Sequence, residues 1–327
     1  MLSGLIIFIA ACRPLAALQS SRPIITFTSL TNVRSSLRGT ASLRTFDEER
    51  GVVMRLIGMF AVMLLLVLSC RENLMSQTGI FPAGNRHLYI HCEGQRHGAI
   101  VILSTGLYRE ASDWRLVMPK IAQFTQVCSY DREGLGQSTV DHDAAGPESE
   151  SLDEQIEDLE KLLLSAHLDP PYLLVGHSAG GLLVRRFTRD YPDRVAGLVF
   201  IDSAHEEQVW RFQAIDPRSV QGPPADPKFV VRGGGTLPSE RWVWHYDKPL
   251  IVLQHGIPLT FEGPLAAHTA EFNAAIDRMT RDLATRSSKG QLRIAIRSGH
   301  EIMLDEPTVV VEAVHDAWSE APLSEHH

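Results

Sequence analysis

The stretch LLVGHSAGGLLVRRF, residues 173–187, places one serine between glycines at the end of an apolar run. The pattern Gly-x-Ser-x-Gly also occurs by chance, so its surroundings decide whether Ser178 is a nucleophile or a small residue in a tight turn. Residues 171–175 predict a short buried strand, and residues 180–187 predict a helix that ends before Pro192. A strained turn between strand and helix pushes a hydroxyl outward beside the helix N-terminus. This context favours a nucleophile, with a structural Gly-Ser turn as the alternative.

The composition favours one large α/β domain with additional segments. The chain has 327 residues, of which 44% are hydrophobic, and this is ample for a sizeable core. Its formal net charge is −8, and the sequence contains no basic stripe. We therefore expect no nucleic-acid partner.

The first seventy residues differ in character from the rest. They contain two apolar runs, LIIFIAAC at 5–12 and LIGMFAVMLLLVLSC at 56–70. The second run is short for a membrane-spanning helix and has the length of a signal-peptide apolar region. It ends at Cys70 in a pattern that resembles a bacterial lipobox, in which the cysteine is lipidated. We expect residues 1–70 to contain an upstream extension, 1–53, and then, from Met54 as the actual start, a segment that exports the chain or anchors it to a membrane.

Two of the four cysteines, Cys92 and Cys128, lie in the part that is predicted to fold. An exported protein can pair them, whereas two buried free thiols on strands explain their positions equally well. Their spacing is not typical of metal ligands.

Residues 71–327 alternate between strand-like and helix-like segments, and we expect them to form the folded domain. The strand-like segments are 87–92, 99–103, 126–130, 196–201, 250–253 and 291–296. Helical spacing occurs at 117–124, 152–163 and 272–283 and in a final segment that starts near residues 305–307. Ser151 and Glu154 form a capping box before the second helix. Such alternation predicts a mostly parallel sheet with helices on both faces.

Four motifs extend this prediction to a family. LSTGLY at 103–108, SYDREGLGQS at 129–138, VGHSAGG at 175–181 and SGHEIMLDEP at 298–307 resemble, in order and context, the motifs of the α/β-hydrolase superfamily. The resemblance covers roughly residues 78–320. It implies an α/β-hydrolase fold, with a mostly parallel eight-stranded sheet flanked by helices and a cap after the sixth strand. It also implies a Ser-acid-His triad and no cofactor or metal.

The chemistry of acyl transfer names further candidates. A serine hydroxyl needs an adjacent base, and His300 lies in the loop where the superfamily places its histidine. The oxyanion that forms on attack needs preorganised N–H donors. We expect these to be the backbone N–H groups of Ala179, directly after the nucleophile, and of Leu107 in the loop after the strand that ends at Leu103.

The acid that orients His300 is open between two residues. Many members of the superfamily place it after the strand that here reads PLIVL at 249–253, but QHGIP follows and contains no carboxylate. The next acid along the chain is Glu262. Asp202 ends the preceding strand, a position that some members use, and gives the chain order serine, acid, histidine that the fold requires. We favour Asp202, with Glu262 as the alternative.

Residues 203–248 are expected to form the cap. The segment is rich in proline, glycine and tryptophan, and its aromatic residues either line an apolar pocket or hold the cap on the body of the domain. These residues are Trp210, Phe212, Phe229, Trp242 and Trp244. A cap of this size favours a small or medium substrate over a polymer.

Two functions from different classes follow. The first is a serine hydrolase, resembling carboxylesterases and lipases, that cleaves carboxylic esters of small molecules through an acyl-enzyme. The second is a catalytically silent protein of the same fold that serves binding or scaffolding, because fold alone does not fix function.

Overall fold

The structure, a computed structural model, describes residues 77–139, 151–220, 229–231, 236–238 and 245–321. The expectations for residues 1–70, including a start at Met54 and lipidation at Cys70, lie outside these residues. None of the helices in the described ranges combines the length and the apolar character needed to cross a membrane.

Eight strands form one sheet in the order β1-β2-β4-β3-β5-β6-β9-β10. The strands are β1 Gly79–Ala83, β2 Arg86–Glu93, β3 Ile100–Ser104, β4 Val127–Tyr130, β5 Tyr172–His177, β6 Val195–Ile201, β9 Leu250–His255 and β10 Gly290–Ala295. β2 runs antiparallel to β1 and to β4, and the other neighbours are parallel. Two short strands, β7 Phe229–Val231 and β8 Thr236–Pro238, form a separate antiparallel pair. The predicted eight-stranded, mostly parallel sheet is confirmed.

Helices cover both faces of this sheet. They are α1 Met118–Ile121, α2 Leu152–Ser165, α3 Ala179–Asp190, α4 Gln208–Ile215, α5 Thr269–Ala284, α6 Ile302–Asp305 and α7 Pro307–Ser319. One core cluster contains Leu159 of α2 and Phe187 of α3, and a second contains Trp114 and Val310 of α7. Each fully buried apolar side chain of this size stabilises the fold by about 1.5–3 kcal/mol. Burial on both faces explains why the central strands read as continuous apolar runs.

The start of α2 agrees with its sequence signature. The Ser151 side chain accepts a hydrogen bond from the Glu154 backbone N–H at 3.2 Å, and the Glu154 carboxylate accepts one from the Ser151 N–H at 2.7 Å. This is the predicted capping box. It fixes the helix entry so that Ile156, Leu159 and Leu163 face the core.

Several element bounds differ from the sequence prediction. The helix expected at 117–124 is α-helical only over α1, because Gln123 and Phe124 bond to the carbonyls three residues back, which tightens the turn. The strand expected at 250–253 continues to His255. The parallel ladder with β10 extends that far, pairing His255 with Ala295.

The cysteine pair is settled within the described residues. Cys92 of β2 lies directly opposite Cys128 of β4 in the antiparallel register, and the two form a disulfide. Of the two readings that the sequence leaves open, the structure contains the paired one.

Part of the expected cap region is described. In it, α4 packs against α5, where the ring of Phe212 lies 5.0 Å from that of Phe272 and 6.3 Å from that of Phe261. Phe212 therefore holds this segment to the body of the domain. The indole of Trp210 lies 5.4 Å from the Arg211 guanidinium. Trp242, Trp244 and the side chain of Phe229 lie outside the described residues.

Candidate active site

Ser178 occupies the turn between β5 and α3, in a backbone conformation that residues other than glycine rarely adopt. Its φ is 50° and its ψ is −122°, and such a position costs on the order of 1–3 kcal/mol. The Ser178 N–H donates to the Ile201 carbonyl at 3.1 Å, and the Ala204 N–H donates to the Ser178 carbonyl at 2.9 Å. The end of β6 thus holds the strained turn in place. This is the sharp turn that the sequence predicts.

Three glycines of the motif are required because other chain segments approach them closely. A Cβ on Gly176 would lie 2.6 Å from the Gly181 Cα, and one on Gly180 would lie 2.4 Å from the Ser104 carbonyl oxygen. A Cβ on Gly181 would lie 1.9 Å from the Ser203 hydroxyl. The pattern Gly-x-Ser-x-Gly-Gly therefore lets α3 pack tightly against β3 and against the segment after β6.

The structure brings Asp202 and His300 together at this edge of the sheet. Asp202 follows β6 with a φ of 41°, and its Oδ2 atom accepts a hydrogen bond from His300 Nδ1 at 2.5 Å. Glu262, the alternative acid, is exposed, and its carboxylate has no hydrogen bond or ion pair with any described residue. Of the two acids that the sequence offers, only Asp202 contacts the histidine.

The environment polarises this pair. Burial favours the neutral form of Asp202, but hydrogen bonds from His255 and His300 outweigh it and lower the Asp202 pKa to about 2. Burial also opposes the charge on His300. The hydrogen bond and negative charge of Asp202 prevail there, with a contribution from Glu301, and raise the His300 pKa above its ordinary value.

His300 and the serine turn are linked through His177. The Nε2 atom of His177 donates to the His300 carbonyl oxygen at 3.0 Å, and the two imidazole rings lie 4.7 Å apart. Burial and the neighbouring His300 lower the His177 pKa to about 3, so that His177 stays neutral.

The Ser178 hydroxyl makes no hydrogen bond to a described residue. Bonds between nucleophile and base often tighten only with substrate present. The His300 side chain is 38% exposed, which leaves it accessible.

The two expected oxyanion donors flank the turn. Ala179 is the first residue of α3, where backbone N–H groups lack helical partners. A Cβ on Gly106 would lie 3.2 Å from the Ser178 Cβ, so the loop that carries Leu107 adjoins the serine. In the described part of the chain, neither the Leu107 nor the Ala179 N–H donates a hydrogen bond. Both donors are therefore available to a ligand.

Sequence reasoning missed two residues that shape this site. The buried Arg132 guanidinium donates to the carbonyl oxygens of Thr105, at 3.1 Å, and of Gly106, and it thereby orients the loop that carries Leu107. The signal for Arg132 was its position in the SYDREGLGQS motif. His255, at the end of β9, bonds to Asp202, and the sequence held no signal for this contact.

Two groups of side chains in the described residues have metal-ligand chemistry. His177, His300 and Glu301 form one, and His205, Glu206 and Asp282 form the other. In the second group, both carboxylates already accept hydrogen bonds from an arginine, because Arg286 donates to Glu206 and to Asp282. In the first, the His177 and His300 rings are engaged in the contacts given above.

Comparisons with known proteins point to the same fold. The sequence model described as the alpha/beta hydrolase fold matches residues 99–247. Over 233 residues the chain is 25% identical to the uncharacterized protein YqjL of Bacillus subtilis, a match that covers 68% of this chain and 85% of YqjL. It is 28% identical over 132 residues to the putative carbamate hydrolase RutD of Variovorax paradoxus, covering 40% of this chain and 48% of RutD. The chain thus spans about half the length of that relative.

Solved structures share the fold. The carboxylesterase CesB of Bacillus subtilis superposes with a TM-score of 0.53 at 14% identity, over 75% of this chain and 92% of CesB. At this identity the similarity establishes the fold alone. The eight-stranded sheet with its serine turn, together with the matching family model, defines the class of protein. The chain has the α/β-hydrolase fold, and its residues 99–247 match the sequence model of that family.

Proposed function

We propose that the protein is a serine hydrolase that cleaves carboxylic esters of small or medium acyl substrates through Ser178, His300 and Asp202. The observation that carries this proposal is the 2.5 Å hydrogen bond between His300 and Asp202 at the sheet edge where the strained Ser178 turn lies. A buried carboxylate paired with an accessible histidine is the arrangement that activates a neighbouring hydroxyl. The hydrolase and esterase relatives support the coarser statement, a hydrolase.

The steps follow from the positions of the donors. The neutral His300 accepts the Ser178 proton on Nε2 while the serine oxygen attacks the ester carbonyl carbon. The N–H groups of Leu107 and Ala179 stabilise the resulting oxyanion. Asp202 holds the Nδ1 proton and stabilises the imidazolium, which then protonates the departing alcohol. Water, activated by the same histidine, hydrolyses the acyl-enzyme and restores the serine.

The preference for esters of limited size rests on the segment between β6 and β9. Its α4 packs against the body of the domain, in the part of the chain where this superfamily carries a cap. The exposed side chains of Leu107 and Tyr108 provide apolar surface next to the oxyanion donors. An apolar wall beside the nucleophile suits an acyl or alcohol group better than a charged one.

The test is covalent labelling with a fluorophosphonate probe, followed by turnover of nitrophenyl esters of increasing chain length. We expect the wild-type protein to be labelled at one site and Ser178→Ala to remain unlabelled, with turnover at least about 10³-fold lower. The serine is only partly buried, so the alanine variant should unfold at the same temperature as the wild type. A folded wild-type protein that takes up no probe would favour the silent binding protein.

We further propose that the protein is exported or membrane-attached through residues 1–70, with Cys70 as a candidate for lipidation. The Cys92–Cys128 disulfide supports this proposal, because such bonds persist mainly in oxidising compartments. Metabolic labelling with a fatty-acid analogue tests the lipid. Label that persists in Cys70→Ser excludes lipidation there. Alkylation of the purified protein after denaturation tests the disulfide. Cys92 and Cys128 should react with the alkylating reagent only if the denatured protein is first reduced.

A further inference from the structure

The Asp202 carboxylate has two imidazole partners, and only one of them belongs to the proposed triad. Its Oδ2 atom accepts from His300, while its Oδ1 atom accepts from Nδ1 of His255 at 2.7 Å and from the His255 backbone N–H at 3.3 Å. The side chain of His255 is 4% exposed and that of Asp202 is 6% exposed. Water therefore cannot replace this contact without a rearrangement of the strand ends.

The backbone at Asp202 is strained and is held in place by the neighbouring strand. Asp202 adopts a φ of 41°, a conformation that a residue with a side chain keeps only when its surroundings enforce it. Its N–H donates to the Leu253 carbonyl at 2.8 Å, so the end of β6 is tied to the end of β9. The shorter contact with the His255 side chain, together with the bond from its backbone N–H, fixes the rotation of the carboxylate toward His300.

From this geometry we infer that His255 is a positioning residue, which holds Asp202 in the orientation that aligns His300 for proton transfer. The inference rests on the hydrolase function proposed above. The His255 side chain makes no hydrogen bond to the described residues of the serine turn, and it acts through the carboxylate. Because Asp202 is ionised and can only accept, Nδ1 of His255 must carry the proton that it donates.

A matched pair of variants isolates this hydrogen bond. In His255→Asn the side-chain amide nitrogen occupies the place of Nδ1 and keeps a donor. His255→Leu has the same number and branching of side-chain heavy atoms as the asparagine variant but no donor. Both lose the rest of the ring equally, so their difference reports the bond to Asp202. His245→Leu, at an exposed position, serves as the general control.

We expect His255→Leu to lower kcat roughly 10- to 100-fold relative to His255→Asn, as for the loss of one hydrogen bond to a charged group, with KM changed less than about twofold. The acid limb of its pH–rate profile should move to lower pH, because a carboxylate that turns away raises the His300 pKa less. In an Asp202→Asn background, His255→Leu and His255→Asn should have equal rates.

Equal rates and pH profiles for the two variants in the Asp202 background would overturn the inference, as would a rate difference that persists in Asp202→Asn. If the wild type takes up no fluorophosphonate probe, the proposed hydrolase fails by that result alone. The positioning role is then decided by NMR titration of the His300 imidazole in the same variants. An unchanged His300 pKa in folded His255→Leu would refute it, and a lowered pKa would support it.

Discussion

Asp202 and Glu206 are buried carboxylates that follow β6 within a few positions of each other in the sequence, yet they have different kinds of partner. Two imidazoles, from His255 and His300, bond to Asp202. Two guanidinium groups bond to Glu206, from Arg185 at 2.5 Å and from Arg286 at 2.7 Å. Burial opposes ionisation of both acids, and the partners lower the pKa of each to about 2.

The partners decide what each carboxylate can do. Arginine keeps its proton at any physiological pH, so the two guanidinium groups that bond to Glu206 have fixed charges and join α3, the segment after β6 and the end of α5. Histidine gains and loses a proton near neutrality, and His300 is partly exposed beside a strained serine. A shifted pKa therefore does not by itself mark a catalytic acid. The better indication is a partner that can exchange a proton and that is open to substrate.

Among the variants of these two carboxylates, the loss of the Asp202 charge should have the largest effect on turnover. We expect Asp202→Asn to lower turnover by about 10⁴-fold with little change in substrate binding, because the amide favours the wrong tautomer of His300 and cannot stabilise its charged form. Glu262→Gln, at an exposed position without partners in the described chain, should keep wild-type turnover. Steady-state kinetics on a nitrophenyl ester decides between the two acids, and the reverse result would assign the acid to Glu262.

The two acids also show what the sequence could and could not predict. The serine turn was predictable because its signals, the glycines and the flanking strand and helix, are local. The choice of Asp202 over Glu262 stayed open because it depends on which strand ends meet His300. The contact with His255 was not predictable, since it requires both the neighbouring places of β6 and β9 in the sheet and the extension of β9 to residue 255.

The second expected effect is on stability and concerns Glu206. Glu206→Gln removes the buried negative charge that bonds to Arg185 and Arg286, so we expect the free energy of unfolding to fall by about 3–5 kcal/mol. Glu207→Gln is the matched control, because its ion pair with Arg211 is about one-third exposed and should contribute about 0.2–1 kcal/mol. Denaturant unfolding gives both values.

The comparison predicts how catalysis responds to the Glu206 variant. Turnover per folded molecule should change little, in contrast to Asp202→Asn, because Glu206 contacts no residue of the proposed triad. The stability that Glu206 provides should also fade as the pH drops through its lowered pKa of about 2, since protonation removes the ion pairs. A large loss of turnover in fully folded Glu206→Gln would remove the distinction between the two carboxylates.

The smallest expected effect is a shift of the pH–rate profile through Glu301. Only neutral His300 can accept the serine proton, so kcat/KM should rise with pH through the His300 pKa, which lies above the ordinary value of 6.5. Burial opposes that increase, the hydrogen bond and charge of Asp202 outweigh it, and the negative charge of Glu301 adds to the effect of Asp202. Glu301→Gln makes protonated His300 less favourable, and the midpoint should move to lower pH while the plateau rate stays within about twofold.

Glu312→Gln, exposed on α7, should leave the midpoint unchanged. A shift to higher pH in Glu301→Gln, or the same shift in Glu312→Gln, would show that the profile reports a group other than His300.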